Sequence, residues 1–119
     1  MRRVLLIEDD DATAQALGEI LELEGYSVRR VHNGADAIDV LHGYRPDVVL
    51  VDLQLPVMDG RSFIEQYRRR VRPAASVVVM SGRTDGRAIA SAMGADGYVG
   101  KPLEASDLLR TLSVALTGA

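Results

Sequence analysis

Acidic side chains and a single lysine follow separate apolar runs of the chain. Residues 8–11 are all acidic and come directly after one run, Asp52 ends another, and Ser81 and Lys101 follow two later ones. Carboxylates that converge in one cleft repel each other unless a cation neutralises them. Mg²⁺ suits an incomplete shell of carboxylate oxygens that leaves room for water and phosphate oxygens. These residue types therefore predict a site for Mg²⁺ and a small oxyanion.

Asp52 is the candidate nucleophile, because a carboxylate can attack phosphorus and form an aspartyl phosphate. Phosphoryl transfer is catalysed mainly by positioning and by neutralisation of charge. We expect Asp9 and Asp52 to hold the metal, with the backbone carbonyl of Gln54 completing its shell. Lys101 and the Ser81 hydroxyl would each bind a phosphoryl oxygen. Lys101 is the only lysine among 14 basic residues, which favours a position that needs a compact ammonium, although chance also explains one residue.

Apolar runs alternate with amphipathic segments along the chain. Continuous apolar runs predict buried strands, and apolar residues at helical spacing predict helices between them. Two arginines in the second strand place it toward an edge of the sheet. The alternation predicts an α/β fold with a parallel sheet covered on both faces, whose strands all end at one edge. The strands are expected near residues 4–7, 27–31, 48–51, 77–80 and 98–99. In chain order, the helices are expected near residues 12–24 and 33–43, over a segment that carries 63–71, near 86–93 and from 104 onward.

Length and composition limit the function. The 119 residues suit one domain, so we expect 1–119 to be a single domain without a DNA-binding or catalytic module. The net charge of −3 gives no general attraction to nucleic acid. The absence of cysteine excludes disulfides and thiolate sites. No apolar run is long enough for a bilayer span or a secretory signal. We therefore expect a cytoplasmic protein that binds neither membranes nor nucleic acid directly.

Four segments carry a family resemblance: residues 4–10, 51–60, 80–82 and 94–102. In their order and spacing they resemble the receiver domain of two-component response regulators, and the similarity extends from about residue 3 to 117. Each segment alone is a weak indication, whereas the four together are specific. The resemblance implies a doubly wound, three-layer (βα)5 sandwich of the flavodoxin-like type, with a parallel five-stranded sheet in the order 2-1-3-4-5.

The resemblance also implies a function, that of a signalling phosphoacceptor rather than an enzyme. The domain would take a phosphoryl group from a sensor histidine kinase or histidine phosphotransfer protein, switch the face formed by the fourth helix, fifth strand and fifth helix, and reset by hydrolysis. A downstream protein or a C-terminal output domain outside this chain would read that face, and a homodimer is left open. The resemblance implies that Asp52 is the phosphoryl acceptor and that Mg²⁺ is held by Asp9 and, through water, by Glu8. It also implies that Ser81 is the switch hydroxyl, that Tyr98 is the switch aromatic, and that Lys101 contacts the phosphoryl group.

The chain departs from the family pattern in three places. Lys101 follows Ser81 by 20 positions, fewer than the family usually has, and the shortfall lies around the fourth helix. Gly82 replaces the usual alanine. Thr111 and Gly97 stand where members that dimerise through the last strand and helix carry charges, which disfavours that dimer.

Three other functions remain open from the sequence. The chain could be a degenerate receiver that only binds a partner, which the complete set of site residues disfavours. A flavin or dinucleotide carrier would need a glycine- or serine-rich phosphate loop after the first strand, where this chain has acids. A Mg²⁺-dependent phosphohydrolase would need a second acid two residues after Asp52, where Gln54 stands.

Ordinary structural roles compete for several of these residues. Asp10 and Asp11 suit a helix cap, residues 59–60 suit a turn, and Tyr98 suits the core as well as it suits a switch. The arginines of 68–72 are interpreted as solvated charge at a helix end. His32 and His42 have no acidic partner nearby in sequence and are expected on the surface.

Overall fold

Five strands alternate with five helices over residues 1–117, the part of the chain that the computed structural model describes. The predicted order of elements is confirmed, with boundaries displaced by one or two residues at most of the ends. The elements are β1 (Arg3–Ile7), α1 (Asp11–Leu23), β2 (Ser27–Val31), α2 (Gly34–Val40), β3 (Val48–Asp52), α3 (Gly60–Arg70), β4 (Ser76–Ser81), α4 (Gly86–Ala92), β5 (Gly97–Gly100) and α5 (Ala105–Thr117).

The strands form one parallel sheet in the order β2-β1-β3-β4-β5, which confirms the predicted topology. The central strands are buried along nearly their whole length, as their continuous apolar runs predict. In β2, by contrast, Arg29 and Arg30 are exposed, and the strand lies at the edge of the sheet as expected.

Each face of the sheet has its own apolar core, because successive strand side chains point to opposite sides. Helices α2, α3 and α4 cover one face and α1 and α5 the other, giving three layers. The first core includes Leu5, Val49, Val77, Phe63 and Tyr67, and the second includes Leu6, Leu50, Val78, Leu17 and Leu108. No helix within residues 1–117 is long and apolar enough to cross a membrane.

Side-chain caps begin three of the helices. The Asp10 carboxylate accepts a hydrogen bond from Thr13 N at the start of α1, as the sequence indicates. Asn33 Oδ1 accepts one from Asp36 N at the start of α2. Asp59, predicted to serve turn chemistry, instead caps α3 by accepting from Ser62 N at 2.8 Å. All three caps follow strands and fix where each helix starts.

Arg68 holds α3 to the end of α4, so the prediction that it is simply solvated is wrong. Its guanidinium donates to the carbonyls of Met93 and Gly94, at 2.5 and 2.9 Å. These carbonyls lie at the C-terminal end of α4, where backbone acceptors lack intrahelical partners. A basic side chain from another helix satisfies them here, and it ties the two helices together.

Candidate functional site

The carboxyl ends of four strands gather the predicted site residues at one edge of the sheet. Glu8 follows β1, Asp52 ends β3, Ser81 ends β4 and Lys101 follows β5. Strand register fixes their relative depth, since Ser81 pairs with Gly100 directly before Lys101. The parallel topology therefore brings together side chains that lie up to 93 residues apart in the chain.

Glu8, Asp9 and Asp52 form the acidic cluster that the sequence predicts. Each offers a carboxylate oxygen, and these atoms all lie within 4.8 Å of one another. Glu8 and Asp52 are buried, whereas Asp9 is exposed. Hard oxygen donors in an incomplete shell with one open side are what Mg²⁺ requires when it keeps water ligands. The residues present therefore fit this ion.

Lys101 supplies the positive charge against these buried acids. Its Nζ donates to Glu8 Oε1 at 2.7 Å and to Asp52 Oδ2 at 2.5 Å. Burial on its own would lower the pKa of Lys101, but the hydrogen bonds to Asp52 and Glu8 outweigh burial and raise it. The lysine therefore stays charged and holds both carboxylates in place.

Burial raises the pKa of Glu8, and the contacts with Lys101 only partly oppose this effect. A carboxyl with a raised pKa in the folded state stabilises the fold at low pH, and the stabilisation is lost as the pH rises through the raised value. In metal-free buffer the Glu8→Gln variant should therefore gain stability relative to the wild type as the pH rises from about 4 to about 7, by about 1.4 kcal/mol per unit of pKa shift.

Urea unfolding of both proteins across this pH range measures the effect. Glu65→Gln, on the exposed side of α3, controls for the loss of one acidic charge. A stability difference between Glu8→Gln and the wild type that stays constant with pH would contradict the raised pKa.

The Asp52 carboxylate is oriented at both oxygens. Oδ1 accepts a hydrogen bond from Gln54 N at 2.9 Å, and Oδ2 faces Lys101. Gln54 thus stands beside the predicted acceptor, while the role of its carbonyl as a metal ligand stays a prediction. Gly60, the first residue of α3, lies directly on this segment: a Cβ there would overlap the backbone of Asp52 and Leu53. Sequence reasoning identified residues 59–60 as a turn but missed this close approach to the site.

Ser81 and Tyr98 also meet. The Ser81 side chain is buried, and its Oγ accepts from Arg83 N at 3.0 Å. The half-buried Tyr98 donates its hydroxyl to the Ser81 carbonyl at 3.1 Å. The Arg87 guanidinium lies 4.9 Å from the centre of the Tyr98 ring, within cation–π range. The two predicted switch residues are therefore in direct contact.

His32 has a partner that sequence spacing did not indicate. Its Nε2 lies 2.9 Å from Asp11 Oδ1, across the ends of β2 and β1. Both side chains are exposed, so the prediction that His32 is a surface residue is correct. Twenty-one residues separate the pair in sequence, and only the adjacency of β1 and β2 brings them together.

Comparison with known proteins agrees with the fold. The family model for the response regulator receiver domain matches residues 4–113. A Chloroflexus aurantiacus protein assigned as a response regulator is 26% identical with a TM-score of 0.91, covering 98% of each chain. Chemotaxis response regulator CheY4 of Vibrio cholerae is 28% identical with a TM-score of 0.89, covering 98% of this chain and 99% of its own. A CheY-like receiver domain protein from Methanospirillum hungatei is 27% identical with a TM-score of 0.88, covering 99% of this chain and 95% of its own.

The extent of these matches settles the class of protein. The family acts in two-component signal transduction, as a signalling phosphoacceptor rather than a conventional enzyme, and its members partner histidine kinases. The carrier and phosphohydrolase alternatives are thereby set aside. The matched residues include all five strands except the first residue of β1, together with the acidic cluster at the sheet edge, and the chain belongs to the response regulator receiver domain family.

Proposed function

We propose that Asp52 accepts a phosphoryl group from a sensor histidine kinase or a histidine phosphotransfer protein, with Mg²⁺ held in the acidic cluster. The observation that carries this proposal is the position of Lys101, whose ammonium contacts Asp52 and Glu8 at once beside the three clustered carboxylates. A buried acceptor carboxylate needs nearby positive charge when a further negative group arrives. Lys101 supplies part of that positive charge, and Mg²⁺ bound in the acidic cluster would supply the rest.

Each residue has a distinct part in this transfer. An oxygen of Asp52 attacks phosphorus, and the bond from phosphorus to the donor nitrogen breaks. Lys101 contacts a phosphoryl oxygen, and the Ser81 hydroxyl contacts another. Asp9 and Asp52 would hold Mg²⁺ directly, Glu8 through water, and Gln54 by its carbonyl. When bound, Mg²⁺ neutralises charge on the phosphoryl oxygens.

The switch in this proposal runs from Ser81 to the face formed by α4, β5 and α5. In the described state Ser81 Oγ accepts from Arg83 N, and Tyr98 donates to the Ser81 carbonyl. Phosphorylation draws the Ser81 hydroxyl toward Asp52 and changes the position of Tyr98, which shifts a two-state equilibrium of that face. Hydrolysis of the aspartyl phosphate resets it.

The wider arrangement is part of the proposal. Residues 1–119 act as one receiver domain, whose switched face is read by a downstream protein or by an output domain outside this chain. The domain itself makes no direct contact with nucleic acid, in keeping with its net charge of −3. A homodimer is compatible with this reading, since Thr111 and Gly97 argue only against one dimer mode.

Exposure to a small acyl phosphate tests the proposed function. Intact-mass analysis should show a gain of one phosphoryl group in the presence of Mg²⁺, little gain after chelation, and a return to the starting mass once the donor is removed. Absence of any mass gain with Mg²⁺ present would leave the chain as a degenerate receiver.

Ser81→Ala should separate phosphorylation from switching. The variant keeps Asp52 and Lys101, so it should still take up the phosphoryl group, more slowly than wild type, because one contact of several is lost. It lacks the hydroxyl that couples the phosphoryl group to Tyr98, so the response of Tyr98 should be absent. Tyrosine-selective NMR signals before and after phosphorylation measure this; a Tyr98 response equal to that of wild type would contradict the coupling.

A further inference from the structure

The first residue of α4 lies directly on the two switch residues. Only residues 82–85 separate Ser81, at the end of β4, from Gly86, at the start of α4. Gly86 is buried, and a Cβ built on it would lie 2.8 Å from the Tyr98 hydroxyl and 2.9 Å from Ser81 Oγ. Real Cβ atoms do not approach other heavy atoms this closely. The backbone of α4 therefore occupies space that only glycine permits, against both groups.

The two ends of α4 are held in different ways. At its C-terminal end, Arg68 from α3 donates to the carbonyls of Met93 and Gly94. At its N-terminal end, Asp85 makes no side-chain capping hydrogen bond, and the Arg83 guanidinium binds its carboxylate instead, at 2.7 and 3.0 Å. The C-terminal end is thus anchored to a neighbouring helix, whereas the N-terminal end rests on Ser81 and Tyr98.

We propose that Gly86 is the positioning residue through which Ser81 and Tyr98 control α4. The close approach places the first turn of α4 directly against the Ser81 and Tyr98 side chains, so a movement of either group changes the space open to that turn. Movement of Ser81 toward Asp52 then releases or draws in that turn, and the helix rotates about its Arg68 anchor. This inference rests on the proposed function in one respect, since it takes Ser81 as the group that moves on phosphorylation.

Gly86→Ala provides the test, because its added methyl group has to displace the Tyr98 hydroxyl, Ser81, or the first turn of α4. Tyr98→Phe removes the oxygen that lies closest to that methyl group, so the double variant should relieve one of the two clashes. Gly43→Ala is the matched control, because nothing lies within 4 Å of a Cβ at Gly43. Amide hydrogen exchange measured by NMR then compares the two ends of α4 in all five proteins, wild type included.

In the unphosphorylated protein, Gly86→Ala should speed exchange over residues 86–89 by about ten-fold, with much less change at 93–94, where Arg68 holds the chain. Adding Tyr98→Phe to Gly86→Ala should recover about half of this effect, so the two substitutions should be non-additive. Gly43→Ala should leave α4 unchanged. Exchange over 86–89 equal to wild type in Gly86→Ala, or strict additivity in the double variant, overturns the proposal.

Arg68→Gln covers the case in which Gly86→Ala does not fold. It should speed exchange at residues 93–94 by about ten-fold and leave 86–88 near the wild-type rate, because the N-terminal end is held by a separate contact. Exchange that is accelerated uniformly along α4, or not accelerated at all, overturns the role of Arg68 as the anchor of α4. These comparisons use unphosphorylated protein, so they test the coupling between positions 86 and 98 independently of phosphorylation. A wild type that takes up no phosphoryl group would contradict the proposed function without affecting this test.

Discussion

Asp52→Asn is expected to abolish phosphoryl uptake while leaving the fold intact. The substitution replaces a nucleophilic carboxylate by an uncharged amide of nearly the same shape, and it removes one of the three carboxylates of the acidic cluster. Lys101 keeps its contact with Glu8 at 2.7 Å, so the buried charge of Glu8 stays compensated. Intact-mass analysis after exposure to a small acyl phosphate and Mg²⁺ should detect no added phosphoryl group.

Asp59→Asn is the matched control for this experiment. Asp59 is a nearby acid on the same loop, but its carboxylate caps α3 by accepting from Ser62 N, and asparagine caps a helix about as well as aspartate. This variant should therefore fold and take up phosphoryl as the wild type does. Uptake by Asp52→Asn at the wild-type rate would show that another residue is the acceptor.

Lys101→Met should reduce both the rate of phosphorylation and the stability of the protein. Loss of one preorganised charge contact to the reacting group costs about 100-fold in rate. Glu8 and Asp52 would then share a buried site without a cation, and breaking such a pair costs about 3 kcal/mol, a value taken from the low end because the Lys101 side chain is 27% exposed. Denaturant unfolding and the time course of mass gain measure the two effects.

Mg²⁺ should restore part of the stability lost in Lys101→Met, because the ion compensates the same two carboxylates. Arg110→Ala is the control, since it removes a basic residue that pairs with Asp107 on the exposed side of α5, where ion pairs contribute about 0.5 kcal/mol. A Lys101→Met protein as stable as Arg110→Ala in metal-free buffer would contradict the role given to Lys101.

The strands could be predicted because each one has a local apolar pattern, whereas their order was implied only by the family resemblance. Continuous apolar runs such as 48–51 can only be buried on both faces, and each run ends at a polar residue. Once a parallel sheet is inferred, its carboxyl edge must gather Asp52, Ser81 and Lys101. The position of the site thus follows from residue type and spacing.

Contacts between distant helices were not open to prediction in the same way. The bonds from Arg68 to the end of α4 and the pair His32–Asp11 depend on how elements pack, and no local pattern encodes them. Gly86 is one of several glycines in the sequence, and its close approach to Ser81 and Tyr98 follows only from the position of α4. For Asp59 the sequence predicts a turn, whereas the side chain caps α3. Aspartate is favoured in both roles, so its residue type does not distinguish them.

Identification of the phosphorylated atom tests the central claim most directly. Borohydride reduces an acyl phosphate on aspartate to homoserine, so the phosphorylated protein can be reduced, digested and sequenced by mass spectrometry. We expect homoserine at position 52, dependent on Mg²⁺ and absent in Asp52→Asn. A phosphoryl group found on Ser81, on His32 or on any other side chain, with aspartate unchanged at position 52, would contradict it.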